Sequence, residues 1–274
     1  MLSVECFLPR LGLPLRGGSS YDARVQHVDL KFTTPAELLA ADEAWLDWCE
    51  AGQGDELLMF WEPQQVFVVL GYANQVAAEV NTAACAANNV PIHRRCTGGG
   101  TVVQMPGGLN YSLILRISEH GPTRNISATN GYVMGKNCDA IQAAVKDQNL
   151  GVTVQGHTDL AVTTPNAASG TFLKVAGNSQ RRRKHFLLFH GTFLLDCNLD
   201  LISELLRTPS LEPEYRANRP HSEFVTNLKV SAASVKEALL PAWGAQAGLE
   251  NLPLKEIESL AREKYAVRAW NYKF

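Results

Sequence analysis

The regular pattern of hydrophobic and polar positions begins after residue 24, and the first long element that it predicts is a helix. Residues 1–24 are rich in Pro and Gly and predict an irregular N-terminal arm. In PAELLAADEAWLDWCEAG, which begins at Pro35, large apolar side chains recur near helical spacing. Thr34 stands in the N-cap position and Gly52 lies just past the end, so we expect a helix between them.

Short apolar runs after this helix predict strands. ELLMFWEP and QVFVVLGY predict two strands joined by a turn at Glu62 and Pro63, and NQVAAEVNTAACAANN predicts an alanine-rich helix. The chain from VPIHRR onward then alternates strand-like runs with the glycine-rich turns CTGGG and PGG, as far as LNYSLIL. This alternation predicts a β-meander of three successive strands.

The second half of the chain mixes both kinds of pattern. A helical pattern in TNGYVMGKNCDAIQAAVKDQ is followed by VTVQGHTDLAV, a turn-rich TTPNAASG and two strand-like runs, TFLKVAG and HFLLFHGTFLLD. SVKEALLPAW and LKEIESLAREKY have helical spacing near the end. Since there is no internal repeat or linker, the sequence predicts one α+β domain over residues 25–274, with a mixed or antiparallel sheet flanked by helices.

Composition indicates an ordinary globular protein without a charge bias. The chain has 274 residues, 46% of them hydrophobic, and 25 Lys and Arg against 27 Asp and Glu, for a net charge of -2. This balance gives no general attraction to nucleic acid or to an anionic membrane. The lack of a signal-peptide pattern or a transmembrane-length apolar run predicts a cytoplasmic protein.

The cysteines are scattered without a C-x-x-C pair, which argues against a zinc site and against a disulfide framework. We expect buried thiols. The six are Cys6, Cys49, Cys85, Cys96, Cys138 and Cys197.

The glycine-rich turn CTGGG is the first candidate for chemistry. Glycines lack Cβ atoms, so their backbone N–H groups can approach an anion such as phosphate closely. The turn is neither a Walker loop nor a Rossmann fingerprint, because the lysine of the first and the following helix of the second are missing. Arg94 and Arg95 precede the turn and face opposite sides if they end a strand. The alternative is a permissive hairpin turn with two solvated arginines.

Three further features lie in residues 173–196. Lys174 interrupts an apolar strand, where an unpaired ammonium is costly, so it either meets an anion or carbonyl in a pocket or extends to water. His190 is more typical of a core histidine bonded to backbone than of a pocket residue. The RRRK run, Arg181–Lys184, is more typical of a solvated hairpin tip than of a binding surface.

Taken in order, these motifs resemble one known family. RRCTGGGTVV with GGLNYSL, then GHTDLAV, then KVAGNSQRRR with FHGTFLLD are similar to lipoate-protein ligase A, within the superfamily of biotin and lipoate protein ligases and octanoyltransferases. The resemblance implies a fold related to class II aminoacyl-tRNA synthetases. It also implies that lipoate or octanoate reacts with ATP to form an acyl-AMP. The acyl group then passes to a lysine of a lipoyl acceptor domain, in a 2-oxoacid dehydrogenase or in the glycine cleavage carrier protein.

The resemblance also implies roles for individual residues. Lys174 is the implied catalytic residue, in contact with the acyl carbonyl and the phosphate oxygens. Asp159 is placed on the nucleotide side, and His190 along the lipoyl tunnel. ATP acts as its Mg²⁺ complex, and the residues that would hold the metal are left open. The other implied substrate-binding residues are Arg95, Thr97, Gly98, Gly99, Gly100, Asn110, Gly177, Gly191 and Thr192.

Departures from the family pattern leave alternatives open. Too few residues follow Ser231 to form the accessory domain of longer ligases, so a separate accessory polypeptide, or a chain that binds lipoate, lipoyl-AMP or a carrier without ligation, stays open. Related transferases pass the acyl group through a cysteine thioester without ATP. Residues 154–174 hold no cysteine and Cys197 lacks a Pro-Cys-Gly context, which favours the ligase. Biotin ligation is disfavoured because RRCTGGG replaces GRGRxGR.

Overall fold

The structure is a computed structural model that describes residues 25–163, 171–209, 212–246, 249 and 252–274. The predicted N-terminal arm and most of TTPNAASG lie outside the described residues. The described strands are β1 (Gln26–Asp29), β2 (Leu57–Trp61), β3 (Phe67–Leu70), β4 (Ile92–Arg94), β5 (Val102–Gln104), β6 (Gly108–Arg116), β7 (Gly151–Gln155), β8 (Asp159–Thr163), β9 (Leu173–Arg182) and β10 (Phe186–Leu194). The described α-helices are α1 (Pro35–Glu50), α2 (Val76–Glu79), α3 (Thr82–Ala87), α4 (Ile126–Ala144), α5 (Asp200–Leu205), α6 (His221–Phe224), α7 (Ala232–Ala242), α8 (Leu254–Leu260) and α9 (Arg268–Asn271).

The described strands form two sheets. The larger has seven strands in the order β1-β2-β6-β10-β9-β8-β7, and its pairs are antiparallel except for β1 with β2. The smaller has the order β4-β3-β5, with β3 parallel to β4 and antiparallel to β5. A mixed sheet flanked by helices confirms the predicted α+β class.

Helix α1 forms as its sequence predicts. The Thr34 hydroxyl accepts a hydrogen bond from the Glu37 amide while the Glu37 carboxylate reaches back to the Thr34 amide, which is a capping box. Pro35 occupies the first turn, where a missing N–H has no cost. The helix packs across β6 and β10 and buries even Asp42 and Glu43, each 4% exposed. Two carboxylates are thereby brought under the sheet.

The predicted β-meander is wrong in its pairing. Strands β4 and β5 do not pair with each other, because both flank β3, and β6 belongs to the larger sheet, between β2 and β10. Strands β2 and β3 are likewise divided between the sheets and do not form a hairpin. The turn CTGGG therefore joins two strands that are separated by a third, and it contacts the larger sheet, where the Ser179 hydroxyl of β9 donates to the Gly98 carbonyl at 3.0 Å.

The alanine-rich segment forms two short helices instead of the single helix that its sequence predicts. Val80 lies between α2 and α3 in extended conformation and forms a β-bridge with Leu206. The Asn81 side chain then caps α3 by accepting from the Ala84 amide. A tertiary contact thus breaks the helix at Val80.

The hydrophobic residues form three clusters around the sheets. One covers the face of the larger sheet that packs against α4 and α7, and another covers the face that packs against α1 and α8. The third lies under the smaller sheet, with residues of α2, α3 and α5. Strand β6 is buried from Gly108 to Leu115, so the larger sheet is covered on both faces at its centre. This burial fixes the strands that carry the site.

The prediction of a solvated RRRK tip is wrong for its first two residues, because β9 extends through them. The Arg181 guanidinium donates to the Cys96 carbonyl at 2.8 Å and pairs with Glu43 at 3.5 Å. The Arg182 guanidinium donates to the Thr123 carbonyl at 2.7 Å. Both side chains therefore join separate segments of the chain.

Candidate active site

A cavity of about 590 Å³ is lined by residues of both sheets, of α1 and of the segment 209–225. Its apolar wall includes Leu39, Trp61 and Val103, and a polar wall faces it. Thr97 and Gly98 are not part of the lining. Ten of the twelve predicted site residues line the cavity, namely Arg95, Gly99, Gly100, Asn110, Asp159, Lys174, Gly177, His190, Gly191 and Thr192.

The Arg95 guanidinium donates hydrogen bonds to the glycine turn. Its Nη2 donates to the carbonyls of Gly98 at 2.5 Å and Gly100 at 2.8 Å, and its Nε donates to the Thr97 hydroxyl at 2.9 Å. Burial lowers the pKa of Arg95 to about 10, because desolvation disfavours the charged guanidinium. Gly99 has φ +85°, a conformation that residues with a Cβ rarely adopt. The turn is thus fixed by a buried cation.

Arg94 is fully buried on the other side of the turn, so the alternative of two solvated arginines is wrong. Among the described residues it has no ion-pair partner, and its guanidinium shares no acceptor with that of Arg95. It donates instead to main-chain carbonyls at 2.8 to 3.2 Å, those of Gly71, Tyr72, Asn74, Trp270 and Asn271.

A β-bulge turns Lys174 into the cavity. Strand β9 pairs with β8 so that Ala176 lies opposite Leu160 and Lys174 opposite Ala161, which leaves Val175 as the extra residue. The bulge shifts the alternation of side chains by one position, so Lys174 shares a face with residue 177. Bulges near functional sites commonly re-aim a side chain in this way.

Lys174 meets an anion in the cavity, which is the first of the two alternatives left open by the sequence, and the anion is a carboxylate of the protein. Its Nζ lies 2.8 Å from Asp159 Oδ1, and the Tyr215 hydroxyl donates to Asp159 Oδ2 at 2.9 Å. Desolvation and the Asp159 charge raise the pKa of Tyr215, so the phenol stays protonated. A Cβ at Gly177 would lie 2.9 Å from Lys174 Nζ, so the absence of a side chain there makes room for the ammonium. The Lys174 side chain is 27% exposed and remains accessible from the cavity.

His190 is not a core histidine bonded to backbone. Its Nδ1 lies 2.6 Å from Asp42 Oδ2 and its Nε2 lies 2.7 Å from the Thr97 hydroxyl. The Ser112 hydroxyl donates to the other Asp42 oxygen at 2.6 Å. Both ring nitrogens of His190 therefore have hydrogen-bond partners within the protein, while the residue lines the cavity.

Asn110 and Thr192 belong to a polar triangle with Gln104. The amides of Gln104 and Asn110 bond each other through both ends at 2.8 and 2.9 Å, and Gln104 also donates to the Thr192 hydroxyl at 2.9 Å. These three side chains are hydrogen-bonded to one another, so this part of the cavity wall is polar but uncharged.

The segment after β10 adds a rim of mixed charge, because Glu212 and Glu214 line the cavity beside Arg216, and Arg216 Nε lies 3.4 Å from Glu212 Oε2. Arg216 is 4% exposed and lines the cavity, and its Nη2 has no hydrogen-bond partner among the described residues. His221 also lines the cavity. Desolvation and the positive charges of Arg216 and Lys174 lower the pKa of His221, which locates these groups near one another. Arg216 Nη2 is therefore available to donate a hydrogen bond to an oxygen atom of a ligand.

The described residues contain no cluster of three or more His, Cys, Asp or Glu side chains that could hold a metal ion. Among the described helices, none has the length and hydrophobicity needed to cross a bilayer.

Two sheets around a half-apolar cavity, with a glycine turn at one end and a lysine beside a carboxylate at the other, define a catalytic domain of the lipoate-ligase type. Residues 34–243 match the family described as the lipoyl protein ligase A/B catalytic domain, and the chain belongs to that family. The family resemblance drawn from the motifs is thereby confirmed, and the chain is an enzyme of the lipoyl and octanoyl ligase and transferase group.

Sequence relatives lie on both sides of this group. The octanoyltransferase LipM of Geobacillus kaustophilus is 27% identical over 276 residues, which cover 90% of this chain and 97% of the relative. The lipoate–protein ligase 1 of Staphylococcus aureus is 23% identical, over 88% of this chain and 70% of the relative.

A solved structure shares the fold. One chain of the bi-partite lipoate protein ligase of Thermoplasma acidophilum superposes with a TM-score of 0.69 at 22% identity, over 91% of this chain and 96% of that chain. The predicted fold of a lipoate-ligase catalytic domain is confirmed.

Several cavity residues were missed from the sequence. Asp42 carried a signal, because ADEAW places two acidic residues on an otherwise apolar helix that the sheet must cover. Arg216 and His221 line the cavity, and Tyr215 reaches it only through its hydrogen bond to Asp159. These three residues lie in a segment without periodicity, and nothing in the sequence links them to Lys174.

Proposed function

We propose that the protein is an ATP-dependent ligase that activates lipoate or octanoate as an acyl-AMP and transfers the acyl group to a lysine of a lipoyl acceptor domain. The observation that carries this proposal is that no cysteine is among the described residues lining the cavity. An acyl group held there has a lysine, a glycine turn and a buried arginine, Arg216, around it, but no described thiol to attack it.

Of the described cysteines, Cys49, Cys85, Cys96 and Cys197 are buried and Cys138 is partly exposed. Burial raises the pKa of the thiols of Cys49 and Cys96 to about 12 and that of Cys197 to about 11, which disfavours the nucleophilic thiolate. Desolvation also raises the pKa of Cys85 and Cys138. Cys6 lies outside the described residues. A thioester route therefore lacks a described nucleophile.

The charged groups of the cavity suit an adenylate. In the first step a carboxylate oxygen of the acid bonds to the α-phosphorus of ATP and pyrophosphate leaves, with ATP supplied as its Mg²⁺ complex. In the second step the amine of an acceptor lysine bonds to the acyl carbon, AMP leaves and the amine loses a proton. Both steps build negative charge that Lys174 and the amides of the glycine turn can stabilise.

Three parts of the cavity divide the ligand among them in this proposal. Lys174 contacts the acyl carbonyl and phosphate oxygens, with Asp159 beside it on the nucleotide side. His190 and the apolar wall hold the acyl chain. The other predicted residues form the turn and the walls around the mixed anhydride. Holding both halves of one ligand in a single cavity is what an acyl-AMP requires.

Acceptor and accessory proteins are part of the proposal. The Thermoplasma ligase is described as bi-partite and as acting with an E2 lipoyl domain, and this chain matches 96% of the superposed chain. We therefore propose a lipoyl domain as acceptor and a separate accessory polypeptide as a partner in activation.

A second candidate is an octanoyltransferase that takes its acyl group from another carrier without ATP. The full-length match to LipM favours it. The transferases that this chain resembles use a cysteine thioester. The raised pKa values of the described thiols argue against that route.

ATP–pyrophosphate exchange separates the two candidates. The protein, incubated with lipoate or octanoate, Mg²⁺-ATP and labelled pyrophosphate, is expected to return label to ATP only when the acid is present. The assay is run with the chain alone and with added accessory polypeptide. Absence of exchange in both, together with an acyl thioester that hydroxylamine releases, would assign the protein to the transferases.

A further inference from the structure

Asp42 is a buried carboxylate for which neither the family motifs nor the proposed reaction has a use. It lies on α1 and is 4% exposed. Among the described residues no Lys or Arg pairs with it directly, and its partners are His190 and Ser112. A carboxylate removed from water without a cationic partner is costly, so its position calls for a compensating charge nearby.

The compensating charge is reached through a chain of hydrogen bonds. Arg95 Nε–H donates to the Thr97 hydroxyl, so the hydroxyl proton is free to go to His190 Nε2. With Nε2 as acceptor, the ring proton is on Nδ1 and donates to Asp42. In this arrangement every proton of the chain has an acceptor, and the Asp42 charge lies behind the Arg95 guanidinium, where it counteracts the desolvation of that cation.

The far end of the chain is the glycine turn. Arg95 Nη2 holds the carbonyls of Gly98 and Gly100. The peptide bonds of the turn are trans, and in a trans peptide the N–H points opposite to the carbonyl. The amides of Gly99 and Thr101 therefore point away from Arg95. Neither amide has a hydrogen-bond partner among the described residues.

We propose that Asp42 is a positioning residue which, through His190, Thr97 and Arg95, fixes the glycine turn with its amide groups directed at the reacting oxygen atoms. Asp42 borders the cavity, but in this proposal it acts through His190 and not on the substrate. The use of the turn in acyl transfer rests on the proposed function, whereas the hydrogen-bond chain belongs to the fold. Loss of the carboxylate leaves His190 without an acceptor for Nδ1–H and Arg95 without its counter-charge, so the turn loses its fixed geometry.

Glu43 is a matched control because it follows Asp42 on the same helix and is equally buried. Its carboxylate pairs with Lys264 and Arg181 and receives the Tyr265 hydroxyl, and it makes no hydrogen bond to His190, Thr97 or Arg95. Asp42→Ala and Glu43→Ala both remove a buried carboxylate, so a merely structural role predicts the same effect for both.

The first measurement is the ¹⁵N spectrum of ring-labelled histidine in the full-length protein at neutral pH. The His190 ring, assigned with His190→Gln, is expected as the Nδ1–H tautomer in the wild type and in Glu43→Ala, and to lose that signature in Asp42→Ala. A wild-type His190 protonated on Nε2, or an unchanged signature in Asp42→Ala, would overturn the hydrogen-bond chain.

The second measurement is acyl transfer with whichever acyl donor the exchange assay has identified. Asp42→Ala is expected to lower kcat by at least about tenfold while KM for the acid changes by less than about threefold, because fixed donors act mainly in the transition state. Asp42→Asn, which can still accept from Nδ1–H, is expected to recover part of the loss. Equal losses in Asp42→Ala and Glu43→Ala would reduce Asp42 to a structural residue. If the wild type is inactive with every acyl donor, the proposed function is contradicted. The tautomer measurement would still test whether the hydrogen bonds from Asp42 to Arg95 are as proposed.

Discussion

Lys174 shows at the scale of one residue what the sequence can and cannot predict. An ammonium in an apolar strand indicated a pocket, and the cavity is there. The bulge at Val175 and the partner Asp159 could not be predicted, because both depend on the register between β8 and β9. The hydrophobicity of a strand shows that a charged residue within it needs a partner. Which residue is the partner depends on how distant strands pair.

Lys174→Ala is expected to lower acylation of a lipoyl acceptor domain by on the order of a hundredfold, because a fixed charge is removed from the reacting atoms. It is also expected to lower the melting temperature, since Asp159 keeps Tyr215 as a partner but loses the cation. Lys174→Arg should recover little, because the guanidinium is wider than the ammonium. Mass shift of the acceptor and a thermal melt test these points, and a folded Lys174→Ala with near-normal transfer would remove Lys174 from the site.

Gly177→Ala tests the position of the same ammonium without changing its charge. The new Cβ would lie 2.9 Å from Lys174 Nζ and 3.0 Å from Cε, so the flexible end of the lysine must move. We expect acylation to fall at least about tenfold with little change in the melting temperature. Gly131→Ala on α4, where no heavy atom lies within 4 Å, is the control. Equal activities of the two variants would contradict the tight fit.

At the scale of elements, local signals were reliable and pairing was not. The capping residues of α1 predicted its start because a cap and its helix are neighbours in sequence. The predicted meander was wrong because β3 pairs between β4 and β5 in the sheet. Strand β3 precedes both in the sequence, so the segment from β4 to β5 carries no sign of it. Similarly, the bridge from Val80 to Leu206 divides a helix that its alanines alone would continue.

Thr34→Ala tests the cap of the helix that carries Asp42. Loss of the capping box is expected to reduce the free energy of unfolding by about 1 kcal/mol. Thr34→Ser keeps a hydroxyl acceptor for the Glu37 amide and should remain near the wild type. Urea unfolding measures both, and an unchanged midpoint in Thr34→Ala would show that packing alone determines the start of α1.

At the scale of the whole molecule, the class of fold was predictable and the meeting of distant segments was not. Motif order indicated the family, and composition indicated the globular class. The rim that contains Arg216 and His221 is brought to Lys174 by the fold, and no spacing in the sequence indicates it. That residues 25–274 form one domain without an accessory domain stays a prediction.

Replacing Cys96, Cys138 and Cys197 together by Ala is expected to leave acyl transfer within about twofold to threefold of the wild type, because an adenylate route needs no thiolate. Acceptor acylation measures this, beside a melt that detects losses from core packing. A folded triple variant without activity would indicate a thioester route.

Acid is expected to destabilise the fold through two histidines. Desolvation lowers the pKa of His93, which bonds the Tyr265 carbonyl, and of His221 below the ordinary 6.5. The unfolded chain then binds more protons as pH falls from about 6.5 through the lowered values, so stability is present above this window and declines within it. Urea midpoints between pH 7.5 and 5 should show the decline, and His93→Gln should flatten it more than a change at the exposed His120. Equal slopes would contradict the assignment.

The buried Arg94 guanidinium has a consequence for the order in which the protein is made. Its acceptors include carbonyls of Gly71 and Asn271, which lie far apart in the sequence and are therefore synthesised at different times. Until residue 271 has emerged, this cation lacks part of the hydrogen bonding that makes its burial tolerable. The larger sheet can form earlier, because its strands lie between Gln26 and Leu194. A nascent chain can therefore form the larger sheet before the hydrogen bonds of Arg94 are complete, and a product that stops before residue 270 is expected to keep this sheet while lacking two of the acceptors of the buried guanidinium.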